Sequence, residues 1–563
     1  MIYISHFRKA LKLFAVFFLF SGIFIPVEML GQGQSEEVTI IAPYNPTVTT
    51  AQKINRNPKI RFTEPEDLPQ IEYDIQSVRI NTRVAPANPK PSRVPADPKK
   101  DLYRSHMRAG FGNYLTPYFE LWVNSIQSDE FNAGAHIGHI SSFGQIEDYG
   151  KSTFSNTLAE AYASKFFNDN TFDVKLAYSN RIVHRYGYNP EEFQTFAVLD
   201  EDIKQSFNKI GLNLGLSSNK THNDAFNYHI LLDGHYLFDK FETNETGLFL
   251  RSGIAKKMDM FNNRRAQELG LDIDADYYMN KDSLGSYNGG IISGTPFLDM
   301  DLEPYRIFVG LKVSYRMDSA SKVHFYPVVK AEASLLENMI VVYAGVDGGL
   351  DRVSYDILTT ENPFVNSIMP LDYSDRYDFY GGVRGRISEI VDFNFGLKYQ
   401  MIENLPLFVN DTGTMLGNTF AIVYDKAGIF NIYGELGFRS RSDFGLLFKA
   451  GYKTYSMDTE LKAWHKPGLE LGLEAYYIIK EKLTLSANLS SMQGVYARTF
   501  VNGTITPEQL DAWFDLGLGG EYHINSQFSA FLKLNNLLNN GYFKWYKYPV
   551  QKFNAMAGIG FSF

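Results

Sequence analysis

The sequence contains no cysteine. That excludes disulfides, thiolate chemistry and a lipid-modified N-terminal cysteine. It has no excess of positive charge either: 54 Lys and Arg stand against 63 Asp and Glu, a net charge of -9. A nucleic-acid partner is therefore not expected. Tryptophan is scarce at 4 residues, whereas 36 Tyr, 44 Phe and 45 Gly are present. That mixture suits strands that face lipid or crowd against one another.

Long hydrophobic runs are missing as well, with one exception. The N-terminus reads "MIYISHFRKALKLFAVFFLFSGIFIPVEMLGQGQSEE", with a basic start (Arg8, Lys9, Lys12), an apolar run 13–27 and then small residues. This is the layout of a secretory signal peptide, too short and too proline-marked for a transmembrane anchor. We expect residues 1–33 to be the signal, with cleavage near Gly31 or Gly33. No other run is long enough to cross a membrane as a helix, so any further crossing has to be made by strands.

Between Pro43 and Pro98 lie 10 of the 22 prolines. Proline lacks the N–H that helices and sheet ladders need, so residues 34–102 are expected to be an extended segment on the periplasmic side. From Tyr103 the pattern changes to alternation over eight to twelve residues followed by a break. In "NKIGLNLGLS", Ile210, Leu212, Leu214 and Leu216 share one face, and Gly211, Asn213, Gly215 and Ser217 the other. "YRIFVGLKVSY" repeats this, with Tyr305 and Tyr315 at the ends of its apolar row. A period of two means strands, and aromatic ends to apolar rows are what a membrane-interface girdle requires.

Short breaks (335–339, 388–392, 440–443, 479–482, 524–527) alternate with long ones (358–374, 411–418, 457–466, 499–508, 537–551). Such alternation predicts an all-β, antiparallel transmembrane β-barrel over 103–563, of about 22 strands (20–24). Its approximate strand centres are 108, 121, 136, 159, 177, 211, 233, 251, 272, 293, 310, 328, 346, 381, 399, 430, 450, 473, 488, 516, 531 and 557. A soluble sandwich offers no reason for connection lengths to alternate. The last stretch, "KFNAMAGIGFSF", puts Phe553, Ala555, Ala557, Ile559, Phe561 and Phe563 on one face. In a barrel this strand pairs with the first, near 103–113, and Phe561 and Phe563 are candidates for the signal read by outer-membrane assembly machinery.

The stretch "FLKLNNLLNNGYFKWYKYPVQKFNAMAGIGFSF" resembles the last two strands of TonB-dependent receptors, as does the strand count. "EEVTIIAP" contains Glu37, Val38, Thr39, Ile40, Ile41 and Ala42, a run similar to the TonB box of that family. The resemblance implies a bacterial outer-membrane barrel of the Bacteroidota type, with TonB or other outer-membrane subunits as partners and solute binding or passage as its work. It also shows a departure. Only 60 proline-rich residues separate Ala42 from Tyr103, too few for that family's globular plug.

For enzymatic or metal chemistry the sequence offers little. His136 and His139 sit three apart, which on a strand sends them to opposite faces. Asp200, Glu201 and Asp202, and Asp299 with Asp301, read as solvated loop acids rather than a calcium site. "YDKAG", "KAWHKPG" and "NNGYFKWYKYP" read as long-loop segments rich in aromatics and cations, suited to binding sugar or a partner or to packing on each other. No cofactor, metal or catalytic residue is assigned, and an enzyme is not expected. The leading expectation is a receptor-like barrel for solute binding or passage. The alternative is a non-transporting barrel subunit that scaffolds an assembly or secretion complex.

Overall fold

The computed structural model describes residues 103–563, apart from 126–127, 194–196, 219–225, 261–266, 337–338 and 441–442. The expected signal peptide, the segment 34–102 and the box-like run Glu37–Ala42 lie outside the described residues.

Alternating residues build one closed antiparallel sheet of 22 strands. Its first eight are β1 Ser105–Gly112, β2 Thr116–Asn124, β3 Phe131–Ser142, β4 Phe154–Phe167, β5 Asn170–His184, β6 Lys204–Ser218, β7 Phe226–Asp239 and β8 Asn244–Met258. Next come β9 Gln267–Lys281, β10 Ser286–Leu302, β11 Tyr305–Met317, β12 Lys322–Leu335, β13 Ile340–Arg352, β14 Tyr373–Ser388 and β15 Val391–Asn410. Then follow β16 Phe420–Ser440, β17 Phe444–Met457, β18 Leu469–Ile479 and β19 Leu483–Gln493. A small hairpin, β20 Tyr496–Val501 with β21 Thr504–Gln509, interrupts the wall. The barrel resumes with β22 Trp513–His523 and β23 Phe528–Asn535, and after a second hairpin, β24 Phe543–Trp545 with β25 Tyr548–Pro549, ends on β26 Asn554–Ser562. Each of the 22 expected centres falls within about two residues of an observed barrel strand's midpoint.

β26 pairs with β1 along seven residue pairs, from His106 with Ser562 to Gly112 with Met556. Closure leaves neither end strand with an unpaired edge, which lipid would penalise. Outward rows are apolar and exposed, as with Ile210 and Leu212 on β6 and Tyr305, Val309, Leu311 and Tyr315 on β11. Inward rows carry charge, as in Arg384 with Glu332 (2.9 Å) and Arg108 with Glu521 (3.2 Å). His136 and His139 fall on opposite faces as expected. The first stacks on Trp122, and the second meets Thr157 at 2.8 Å. An arginine at Leu212 is expected to cost roughly 2–4 kcal/mol if it lies near the bilayer midplane, whereas one at Asn213, beside Asp233, should be tolerated. Urea unfolding of both variants in lipid vesicles checks this, and equal costs would contradict the face assignment.

Two expectations need correction. The alternation of connection length holds from β12 onward, but in the first half the long-loop end also carries short connections at 113–115, 240–243, 282–285 and 318–321. The segment "YDKAG" and the acids Asp299 and Asp301 lie within β16 and β10, not in loops. Strands β15 and β16 run past the belt, so residues that look like a loop continue the ladder.

Candidate functional site

At the long-loop end the protein's own connections pack on one another and on the wall. Strand β15 breaks register between Ile402 and Leu405, at Asn404 with φ of 60°. Beyond this bulge the in-out alternation disappears: Leu407, Phe408 and Val409 are all fully buried. Consecutive buried residues mean that both faces of the strand are covered, so here it has joined a core rather than a wall.

That core is a cap. The connection 353–372, which contains the helix Tyr355–Glu361, contributes Val353, Tyr355, Leu358, Val365 and Met369. Phe207 and Leu237 come to it from the β6–β7 wall, Phe420 and Ile422 from β16, and Trp545 and Tyr548 from the hairpin β24–β25. Ser354 caps the helix by accepting from Ile357 N–H, a local stop that lets seven residues hold a helix in a loop.

Polar groups lock the cap to the β5–β8 wall. Arg181 Nη2 donates to the Thr359 carbonyl at 2.7 Å, and Arg185 Nη2 to that of Val365 at 3.0 Å. Lys209 Nζ lies 2.7 Å from Asp356. Asp239 accepts from Gln205 Nε2 and Tyr355 Oη, each at 2.8 Å, and from Ser367 Oγ. Glu245 accepts from the Tyr355 N–H at 2.8 Å. Burial, with Asp239 beside it, pushes the Tyr355 hydroxyl well above its ordinary range, so it serves as a neutral donor.

The aromatic loop segments are spent on this packing. Trp464 is fully buried and donates to Glu460 at 2.7 Å, while the Asp425 carboxylate holds the Thr459 and Glu460 N–H groups. In "NNGYFKWYKYP", Trp545 and Tyr548 point into the cap and Lys544 and Lys547 face outward. Asp200 lies beside Lys151 (2.5 Å), Asp202 accepts from Leu199 N–H (3.0 Å), and Asp299 pairs with Arg306 (2.6 Å). Among the described residues no three His, Asp or Glu side chains group as metal ligands.

His465 sits inside the cap, with Nδ1 2.9 Å from the Phe408 carbonyl and Nε2 accepting from Tyr546 N–H at 3.4 Å. Burial pushes it down from 6.5 to about 4. Unfolded, this group takes a proton below 6.5, while folded it stays neutral until about 4. Its contribution is therefore complete above 6.5 and lost as pH falls from there to 4, up to roughly 3 kcal/mol. Proteolysis of the connections 458–468 and 536–553 should accelerate between pH 7 and 4.5 and do so less in His465→Gln. Identical pH profiles would contradict this role.

No protein-family model and no curated protein sequence matches the chain. Solved structures do. The pyoverdine outer-membrane receptor FpvA of Pseudomonas aeruginosa aligns over 83% of this chain and 79% of its own, with a TM-score of 0.62 and 13% identity. The FrpB iron transporter of Neisseria meningitidis aligns over 82% of both chains (TM-score 0.62, 10% identity). The siderophore receptor PirA of Acinetobacter baumannii aligns over 83% of this chain and 81% of its own (TM-score 0.62, 11% identity). At such identities the likeness is one of fold: this chain has the 22-stranded barrel of outer-membrane receptors and transporters.

Proposed function

We propose that this protein is an outer-membrane barrel of the TonB-dependent receptor type, working in the binding or passage of a solute. One observation carries the reading. A closed 22-stranded barrel, aligned with receptor and transporter barrels over most of its length, has its long connections gathered into a folded mouth at one end. β1 begins and β26 ends at the opposite, short-turn end, where Ser105 and Phe563 exchange backbone hydrogen bonds at 3.0 Å. In this reading the chain before Tyr103 enters from the periplasm, the box-like run Glu37–Ala42 docks an energy-transducing partner by strand addition, and Phe561 and Phe563 address the chain to the assembly machinery. A Bacteroidota origin and the lack of a globular plug belong to the same proposal.

The folded cap favours a second reading, a non-transporting subunit that scaffolds an outer-membrane assembly, because connections that pack on one another into a fixed surface suit a scaffold without needing to move. Ile40→Pro separates the two, since proline removes a donor that strand addition needs. The receptor reading expects energised uptake and the crosslink to the periplasmic transducer to be lost at unchanged barrel abundance. Outer-membrane subunits that co-purify with the wild type, with no transducer crosslink, would overturn it.

A further inference from the structure

Between β12 and β13 the ladder covers only part of the wall. Seven pairs join the two strands, from Leu335 with Ile340 to Val329 with Val346, and there the register stops. β12 itself extends back to Lys322, still paired with β11 on its other side. Among the described residues no strand is paired with Lys322–Val328 on the β13 side. Val323 lies opposite Tyr315 and Ala333 opposite Tyr305, the two girdle tyrosines of β11, so the gap falls in the outer half of the lipid belt.

Beyond Val346, β13 and β14 step behind β12 into the lumen. A continued ladder would set Gly348 opposite Pro327 and Leu350 opposite Phe325. Instead Leu350 packs with Tyr278, Ile291 and Tyr373. The Gly348 N–H bonds the Asp347 carboxylate at 2.8 Å, and its carbonyl accepts from Lys312 Nζ of β11 at 3.2 Å. Side chains thus take the place of the missing strand partner. Tyr326, on the inward face of β12, is fully buried against the displaced pair. Its ring lies 5.1 Å from that of Tyr377, and its hydroxyl donates to Asp375 at 2.9 Å.

The edge left behind has a defined direction. The Tyr377 hydroxyl donates to the Phe325 carbonyl at 3.1 Å, so that carbonyl points into the gap. Backbone groups alternate sides along a strand, so the carbonyls of Val323 and Pro327 point there too. Pro327 has no N–H to offer, as suits an edge position. Val323 and Phe325 are 45% and 58% exposed, forming an apolar outward row beside the gap. Lipid cannot hydrogen-bond these carbonyls, so the cover they require is another backbone. A second copy is poorly matched. Two chains in one membrane stand the same way up, so their β12 strands would meet in parallel, the weaker pairing.

We propose that the edge of β12 takes up an extended segment of another outer-membrane polypeptide, added as an antiparallel strand with apolar residues at alternate positions. Its N–H groups donate to the carbonyls of Val323, Phe325 and Pro327, and its apolar row continues theirs along the lipid face. This goes beyond the solute reading and does not depend on it.

The test uses the full-length protein in detergent and a defined strand as probe. In Phe325→Cys the new thiol is the chain's single one. The probe is the peptide NAMAGIGFSF, the sequence of residues 554–563, carrying Ala557→Cys. Under mild oxidation the disulfide yield should be at least about tenfold higher than with Ile292→Cys, which is outward and exposed but paired on both sides. Backbone N-methylation of the probe at Ala555 and Ile559 removes the N–H groups that face β12 and should lower the yield about tenfold. Methylation at Gly558 and Gly560, which face away, should not. Both variants should keep the heat-modifiable gel migration of the wild type. Equal yields at the two positions, or indifference to which N–H groups are methylated, would overturn the proposal. So would a spontaneous disulfide in Phe325→Cys with Leu350→Cys, because it would show β13 zipped onto β12.

Discussion

Replacing Gly558 with valine is expected to prevent the barrel from closing. Gly558 lies on β26 opposite Gly110 of β1 and Phe531 of β23. The Phe531 ring occupies the space that side chains at Gly110 and Gly558 would take, and Arg108 stacks on it at 4.5 Å. A Cβ at Gly558 would overlap the Ala109 carbonyl oxygen and the Phe531 ring together. One of these is backbone of the neighbouring strand, so relief requires the seam to open, and an open seam in lipid exposes a full row of unpaired groups. The variant should appear unfolded in the periplasm, without the compact band that barrels give on unheated gels. Phe561→Asp with Phe563→Asp should do the same, because Phe561 packs on Phe528 (4.7 Å) and Phe563 (5.3 Å) along the outward face of the seam. Normal migration of either variant would contradict the seam as described.

The second large effect concerns the cap. Asp239 is buried and accepts from Gln205, Tyr355 and Ser367, and also from the N–H groups of Phe241 and Thr243, each at 2.9 Å. Asp239→Ala leaves at least the Tyr355 hydroxyl and the Gln205 amide buried without this acceptor. The loss is about 3 kcal/mol or more, concentrated where the helix Tyr355–Glu361 meets the wall. The barrel ladder is untouched, so hydrogen exchange should speed up by about a hundredfold in 353–372 and hardly at all in β17–β19. Uniform acceleration would show that cap and wall form one cooperative unit.

The sequence revealed the wall because a transmembrane barrel writes itself in two signals, alternation and turn spacing, and both are local. Every strand centre was legible, including the one near 293 inside a glycine-rich stretch. What misled was also local. A strand that passes beyond the membrane loses its apolar outward row, so 424–428 looked like a loop although β16 continues through it. The connections 240–243, 282–285 and 318–321 are as short as the turns of the other end, so length does not tell the two ends apart there.

The cap was not legible, because its contacts join residues far apart in the chain. Arg185 meets Val365, and Asn418 Nδ2 donates to the Arg185 carbonyl at 2.6 Å. Alternation says nothing about which loops cross a mouth. A hint was present in "LPLFVN", where three consecutive apolar residues break the wall pattern and announce cover on both faces. The aromatics of "KAWHKPG" and "NNGYFKWYKYP" served packing or binding equally well in sequence, and their burial decides for packing.

The central claim is that the long connections pack into one folded cap against the β5–β8 wall, and that Asp239 holds it there. The absence of cysteine allows a direct measurement. Ser179, beneath the cap, is changed to cysteine, and intact cells are exposed to a bulky maleimide that cannot cross the outer membrane. The account predicts slow labelling in the otherwise wild-type chain and labelling about a hundredfold faster when Asp239→Ala is added. Fast labelling in the parent, or equal rates in both, would contradict it.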